Sequence, residues 1–169
     1  MSSVELVRVE PSADFSIAQM TEHDLLEVVE IEETCGLSRW GWDSYRAELD
    51  RPEAVTFVAR PGRGELAGAR TVAGFVAARL NAGELHVNNI GVRPEARRQG
   101  LGAALLGLAL ERAGREGATR AVLEVRVSNL PAQRLYAALG FEVVGERRNY
   151  YRDPPEAALV MARPLGGGS

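Results

Sequence analysis

Residues 88–102, NNIGVRPEARRQGLG, hold the first residue types whose spacing suggests chemistry. The apolar Ile90 and Val92 close a strand, and Pro94 stops it by withholding a ladder donor. Arg97, Arg98, Gln99, Gly100, Leu101 and Gly102 then lead into an apolar run, residues 103–113. A strand, glycine-bearing turn and helix start aim several backbone N–H groups and a positive helix end at one point. Such a point binds phosphate, and glycines let the phosphate reach the backbone. Glycines at a loop–helix junction also serve as plain turn residues, so the rest of the chain has to decide. The second feature is Glu124, a charge inside the otherwise apolar strand AVLEVRV, residues 121–127, where propensity alone would not put it. It reads either as a working carboxylate or as a solvent-facing or Arg126-paired one.

Composition narrows the choice. At 169 residues the chain suits one domain with a real core. Its 46% hydrophobic and 25% charged content are those of an ordinary globular protein. A net charge of −3 argues against a nucleic-acid binder working by bulk electrostatics. No apolar run approaches the roughly 20 residues of a membrane span, and the N-terminus shows no signal-peptide pattern. The single Cys35 cannot form an internal disulfide, which points to the cytoplasm. All 20 basic residues are arginine. The absence of lysine excludes a Schiff-base lysine, a lysine general base and a P-loop of the ordinary phosphoryl-transfer kind. His23 and His86 read as surface or strand histidines, and no His/Cys spacing suggests a metal.

The elements that must position these residues follow from periodicity. Phe15 and Ile17 mark a short first strand. Thr21 and Asp24 form a capping-box variant ahead of a helix through Ile31 that ends near Cys35 and Gly36. Asp43 is the expected N-cap of a second helix through Leu49. Strands are predicted at residues 54–60, 71–80, 84–92, 121–127, from 141 to 144, and at 157–161. Residues 61–70 read as a glycine-rich hairpin-like connection. Helices are predicted at 101–115, ended by Gly117, and from Asn129 and Pro131 through Leu139, closed by Gly140. Residues 153–155 form a turn. The class is mixed α/β, one domain over residues 13–163, with residues 1–12 and 164–169 as loose termini.

With these motifs in place, the chain resembles the GNAT acetyltransferase superfamily. Ile90-Gly-Val-Arg-Pro followed by Arg97-x-x-Gly100-x-Gly102 is similar to that family's acetyl-CoA-binding motif. Leu123-Glu-Val-Arg-Val-Ser-Asn129, Leu135-Tyr-x-x-Leu-Gly-Phe141 and Arg148-Asn-Tyr-Tyr151 resemble the RimI branch, protein N-terminal alanine acetyltransferases. The resemblance implies a mixed central sheet of six or seven strands with about four helices. It implies acetyl-CoA as cosubstrate, no metal, and a protein N-terminus, a ribosomal one such as S18, as acceptor. No nucleic acid or membrane is expected as partner, and the oligomeric state expected is a monomer or weak dimer.

It also implies roles. Ile90, Gly91 and Val92 would serve the pantetheine arm through their backbone, and residues 97–102 would anchor the pyrophosphate. Asn129 would contact acetyl-CoA, alongside or instead of capping its helix. Glu124 becomes the general base, and a carboxylate with a raised pKa would suit that role best. Tyr136 becomes the general acid, though its spacing from Leu139 equally fits a core aromatic. Tyr150 and Tyr151 would hold the peptide terminus. Adjacent strand residues point opposite ways, so only one is expected to face the substrate. Relatives carry an aromatic-Pro-Trp stretch at the substrate entry; here residues 36–42 lack the proline and offer Trp40 and Trp42. Glu156 is followed by two alanines where the branch has a further acidic residue, which softens selectivity for a basic second residue. Two rivals stay open: the same fold acting on a lysine side chain or small amine, and a non-catalytic acyl-CoA-binding module.

Overall fold

The computed structural model describes residues 14–62 and 70–166. Most of the glycine-rich connection at 61–70 and all of the expected loose N-terminus at 1–12 lie outside that range. Among the described residues, seven strands form one sheet in the order β1-β2-β3-β4-β5-β7-β6. They are β1 (Phe15–Gln19), β2 (Ala54–Pro61), β3 (Gly74–Asn81), β4 (Glu84–Val92), β5 (Arg120–Arg126), β6 (Glu142–Arg152) and β7 (Pro155–Pro164). Four helices accompany them: α1 (Leu25–Thr34), α2 (Gly41–Leu49), α3 (Leu101–Arg115) and α4 (Leu130–Ala138). All neighbours pair antiparallel except β4 and β5, which run parallel with α3 as their crossover. Fold class and element count agree with the sequence expectation.

Two cores sandwich the sheet. On one face α3 buries Leu101, Leu105, Leu106 and Leu110 against Val76, Leu85, Leu123 and Val125. On the other, α1 and α2 bury Leu25, Val28, Ile31 and Tyr45 against Val58, Phe75 and Ala77. Alternation along β3 therefore feeds both cores, so that strand is apolar on both faces. The close pairing of β3 and β4 depends on Gly74. A methyl there would stand 2.9 Å from the Gly91 carbonyl oxygen, a backbone atom that cannot swing aside. Gly74→Ala should cost about 1–3 kcal/mol, read as a lower urea midpoint at unchanged slope. An unchanged midpoint would mean that the strands yield there.

Several boundaries differ from expectation: β6 runs on to Arg152, well past residue 144, and β7 already begins at Pro155. Helix α2 begins at Gly41, not after Asp43, because the Glu32 carboxylate accepts the N–H groups of Trp40 (3.0 Å) and Gly41 (3.3 Å). A cap delivered from α1 leaves no local signal. Strand β3 begins only at Gly74, since the Thr71 and Val72 N–H groups donate to Glu27 instead of a neighbouring strand. At the other end, β7 runs to Pro164, and Leu165 is buried with its N–H on the Thr119 carbonyl. The ordered chain thus reaches beyond residue 163. The Thr21–Asp24 capping box is present, and Asp24 also holds Arg60 through two hydrogen bonds of 2.7 and 2.8 Å.

Candidate active site

The site arises where the parallel pair comes apart. β4 pairs with β5 only from Glu84/Arg120 to Val87/Leu123. Immediately beyond, β4 carries a bulge at Asn88: Val87 faces Ala78 while Asn89 faces Ala77. A bulge bends its strand and sharpens its twist. From there Asn89 to Val92 stays with β3, Glu124 to Arg126 stays with β7, and a cleft opens between them. Its central chamber, about 540 Å³, is lined by Asn88, Asn89 and Ile90 on one side and residues 124–126 on the other. Tyr136, Tyr151, Asn129 and the α1–α2 loop at residues 35–38 complete the wall.

A second lobe of about 400 Å³ adjoins it on the α3–α4 side, lined by Ile90, Gly91, Val92, Arg97, Arg98, Gly100, Leu101 and Gly102. Asn129 and Tyr136 belong to both lobes. In the turn before α3, Arg98 and Gly100 take left-handed backbone angles, φ +65° and +75°. They lead directly into the N-terminus of the 15-residue α3, a helix end of the kind that attracts anions. At Gly102 a Cβ would sit 3.2 Å from the Leu135 side chain, so a larger residue would press on α4. Arg97 turns inward, its guanidinium on the Val92 carbonyl (3.2 Å) and the Cys35 sulfur (3.4 Å). Gln99 is half-buried in the same turn. Asn129 does cap α4, its Oδ1 accepting the Ala132 N–H at 3.2 Å. Capping and lining the cleft coexist.

Glu124 stands where the chamber meets a third hollow, a groove of about 450 Å³ on the sheet face opposite α3. Its side chain is only 9% exposed. The carboxylate oxygen Oε1 lies 2.7 Å from His86 Nε2 and accepts the Tyr150 hydroxyl at 3.3 Å. Arg126 is not its partner. That guanidinium instead binds Glu156 and the Pro154 and Asp153 carbonyls, holding the β6–β7 turn. The His86 hydrogen bond, against the opposing effect of burial, holds the Glu124 carboxyl below the usual range, with the nearby Arg147 charge and Tyr150 adding to it. The direction is the opposite of the raised value that would suit a general base best.

From sequence alone His86 reads as a surface or strand residue. The parallel register sets His86 beside Val122, two residues from Glu124 on the same face. Alternation of Glu84 and His86 with the buried Leu85 and Val87 places the imidazole on the face away from α3. That alternation was a readable signal; the pairing of β4 with β5 was not.

The two tyrosines do not split between faces as alternation predicts. β6 is irregular between Arg147 and Tyr151, and Asn149 takes φ +53°. This resets the alternation, so the rings meet edge to face at 4.9 Å. Tyr150 reaches Glu124, while Tyr151 lines the chamber under the Arg126 guanidinium, 4.2 Å above its ring. Burial pushes the Tyr151 phenol up to about 12. Tyr136 is buried against Phe141, and burial raises its phenol above the ordinary value. Trp40 and Trp42 do not line the chamber. Trp40 stacks on Tyr45 at 5.2 Å, and Trp42 lies exposed on α2. Their neighbours at residues 35–38 take the wall position. Among the described residues no group of three or more His, Cys, Asp or Glu could hold a metal. No helix there is long and apolar enough to cross a membrane.

This architecture has counterparts. The chain is 30% identical to the ribosomal-protein-S18-alanine N-acetyltransferase of Escherichia coli, whose crystal structure superposes with a TM-score of 0.77 over 92% of this chain and 96% of that one. Ard1 from Thermoplasma volcanium superposes at 0.79 with 25% identity, over 90% and 99%. In sequence, a Bacillus subtilis protein assigned as a ribosomal protein bS18-alanine N-acetyltransferase is 36% identical over 146 residues, 86% of this chain and 93% of its own. The model of the acetyltransferase (GNAT) family matches residues 25–141. A sheet split beside a glycine turn, spanned by a match of this extent, makes the chain a member of the GNAT family of N-acetyltransferases.

Proposed function

We infer that the protein transfers acetyl from acetyl-CoA to the N-terminal α-amine of a protein, with ribosomal protein bS18 as the acceptor its relatives point to. The observation that carries this is a chamber lined by both Glu124 and Tyr136, with Tyr136 also lining the adjoining lobe beside the glycine turn. The residues suit acetyl-CoA. The left-handed turn and the α3 N-terminus offer N–H groups to a pyrophosphate, and Asn89 to Val92 leaves β5 at the place where an extended amide arm could pair.

The chemistry follows from acidities. An α-amine with a pKa near 7.7–8.0 is about a tenth neutral at pH 7, whereas fewer than about one lysine amine in a thousand is. A carboxylate held low is a poor base toward a free ammonium, so the site takes up amine that is already neutral. As the nitrogen bonds to the acetyl carbon it becomes cationic and strongly acidic. Glu124, directly or through a water, then accepts its proton. The C–S bond breaks and the sulfur leaves as a thiolate beside Tyr136. A phenol raised above its ordinary value is a weaker acid than a thiol of about 8.5. Tyr136 therefore acts first as a hydrogen-bond donor to the developing charge, and stays protonated throughout the working pH range. Activity should rise through pH 7–8 with the substrate amine and not with Glu124.

His86→Ala tests how Glu124 is tuned. A carboxylate whose folded pKa lies below its unfolded value of about 4.5 adds stability above that pH, lost as pH falls through the folded value. Removing the imidazole leaves burial as the main influence, so the Glu124 carboxyl should titrate at higher pH in a ¹³C NMR titration. An unchanged titration would show that His86 does not set it. The function itself is tested with paired peptides whose N-termini are free or blocked, scored by thiol release. Release only from blocked, lysine-containing peptides would overturn the reading.

A further inference from the structure

We propose that Glu32, which touches neither lobe of the cleft, is the positioning residue that holds the peptide-side wall of the chamber in place. Glu32 is 1% exposed. Its carboxylate accepts four donors: the Trp40 and Gly41 N–H groups, the Tyr45 hydroxyl at 2.5 Å, and the Asn89 amide at 3.4 Å. A buried carboxylate is costly unless its oxygens are fully occupied, and here they are. The donors come from the end of the α1–α2 loop, from α2 and from β4. One α1 carboxylate therefore joins three segments that meet at the cleft.

The wall it holds is the stretch at residues 35–38, which lies along β4 in three contacts. The Asn89 amide donates to the Ser38 carbonyl at 3.1 Å. Leu37 packs where a Gly91 side chain would stand, its Cδ1 only 2.9 Å from that Cβ position. The Cys35 thiol donates to the Val92 carbonyl at 3.4 Å. Residues 35 to 38 thus run against residues 92 to 89. Gly36 and Ser38 face only the chamber that holds Glu124, whereas Cys35 and Leu37 face both lobes. The four donors to Glu32 all lie outside the phosphate turn at 97–102, which touches the wall through the Arg97 guanidinium on the Cys35 sulfur at 3.4 Å. A loosened Glu32 cluster should therefore disturb the acceptor side of the cleft far more than the anion-binding turn. The α-amine reading enters only in naming the acceptor as a peptide.

Glu32→Gln and Tyr45→Phe test this together. Glutamine keeps the shape but offers one accepting oxygen where two worked. Phenylalanine keeps the packing on Trp40 and Phe75 and drops one donor. For Glu32→Gln the peptide KM should rise about tenfold or more, and for Tyr45→Phe several-fold, in line with the loss of charge-assisted bonds. The dissociation constant for CoA should stay within about twofold, and circular dichroism should show both variants folded. Glu32→Asp, which keeps both oxygens, should recover part of the loss. Unchanged peptide KM in both folded variants would overturn the proposal, as would equal losses in peptide and CoA binding, which mark a merely structural role. If Glu32→Gln fails to fold, Tyr45→Phe decides alone. Wild type is measured first on peptide and on a small amine. Activity confined to the amine would overturn the peptide reading, and the same variants compared by amine KM would still decide the role of Glu32.

Discussion

Glu124→Gln is expected to lower kcat by about 10²–10⁴-fold while leaving CoA affinity within about twofold. Glutamine matches the carboxylate in size and can still bond His86 and Tyr150, so the change removes the proposed proton acceptor and little else. The turn proposed to hold the pyrophosphate joins another strand and helix, β4 and α3, which is why binding should persist. Stopped-flow turnover beside calorimetric CoA binding reads both quantities. Retained turnover would mean that solvent alone takes the proton, and Glu124 would then be a structural partner of His86. Lost CoA binding would mean that the cleft needs the Glu124 charge to keep its shape.

Tyr136→Phe should lower kcat by about 10²-fold with peptide and acetyl-CoA KM nearly unchanged, since the hydroxyl is needed only as the sulfur gains charge. The ring would keep its place against Phe141, so a large loss of stability is not expected. An acyl donor with a more acidic thiol tests the cause. Its thiolate leaves with less help, so the gap between wild type and variant should narrow. A gap of constant size would assign Tyr136 to packing instead. These two variants also separate an enzyme from an acyl-CoA-binding module, because the module has no turnover to lose.

Much of this site was legible because local rules govern it. The turn before α3 declares itself through glycines, Gly100 at a left-handed angle and Gly102 close to a neighbouring side chain. Glu124 stands out because a strand buried on one face and half-buried on the other rarely spends a charge there. Features set by distant partners were hidden. The start of α2 is dictated by Glu32 eight residues earlier, so Asp43 looked like the cap and was not. His86 becomes meaningful only once β4 and β5 are known to be parallel neighbours in a given register. Tyr150 and Tyr151 share a neighbourhood because Asn149, a residue type that tolerates positive φ, breaks the alternation. The tryptophans are aromatic and near the site in sequence, yet Tyr45 draws Trp40 aside. Of these, the His86 case needs a long-range pairing, while the others turn on a nearby contact or backbone angle that the residue pattern does not show.

The most direct test of the central claim is to locate the acetyl group by tandem mass spectrometry. The acceptor is a peptide carrying the bS18 N-terminus, a free α-amine and an internal lysine. Acetyl is expected on the α-amine, and is expected to be absent with Glu124→Gln. Acetyl on the lysine, with the α-amine left free, would contradict that claim.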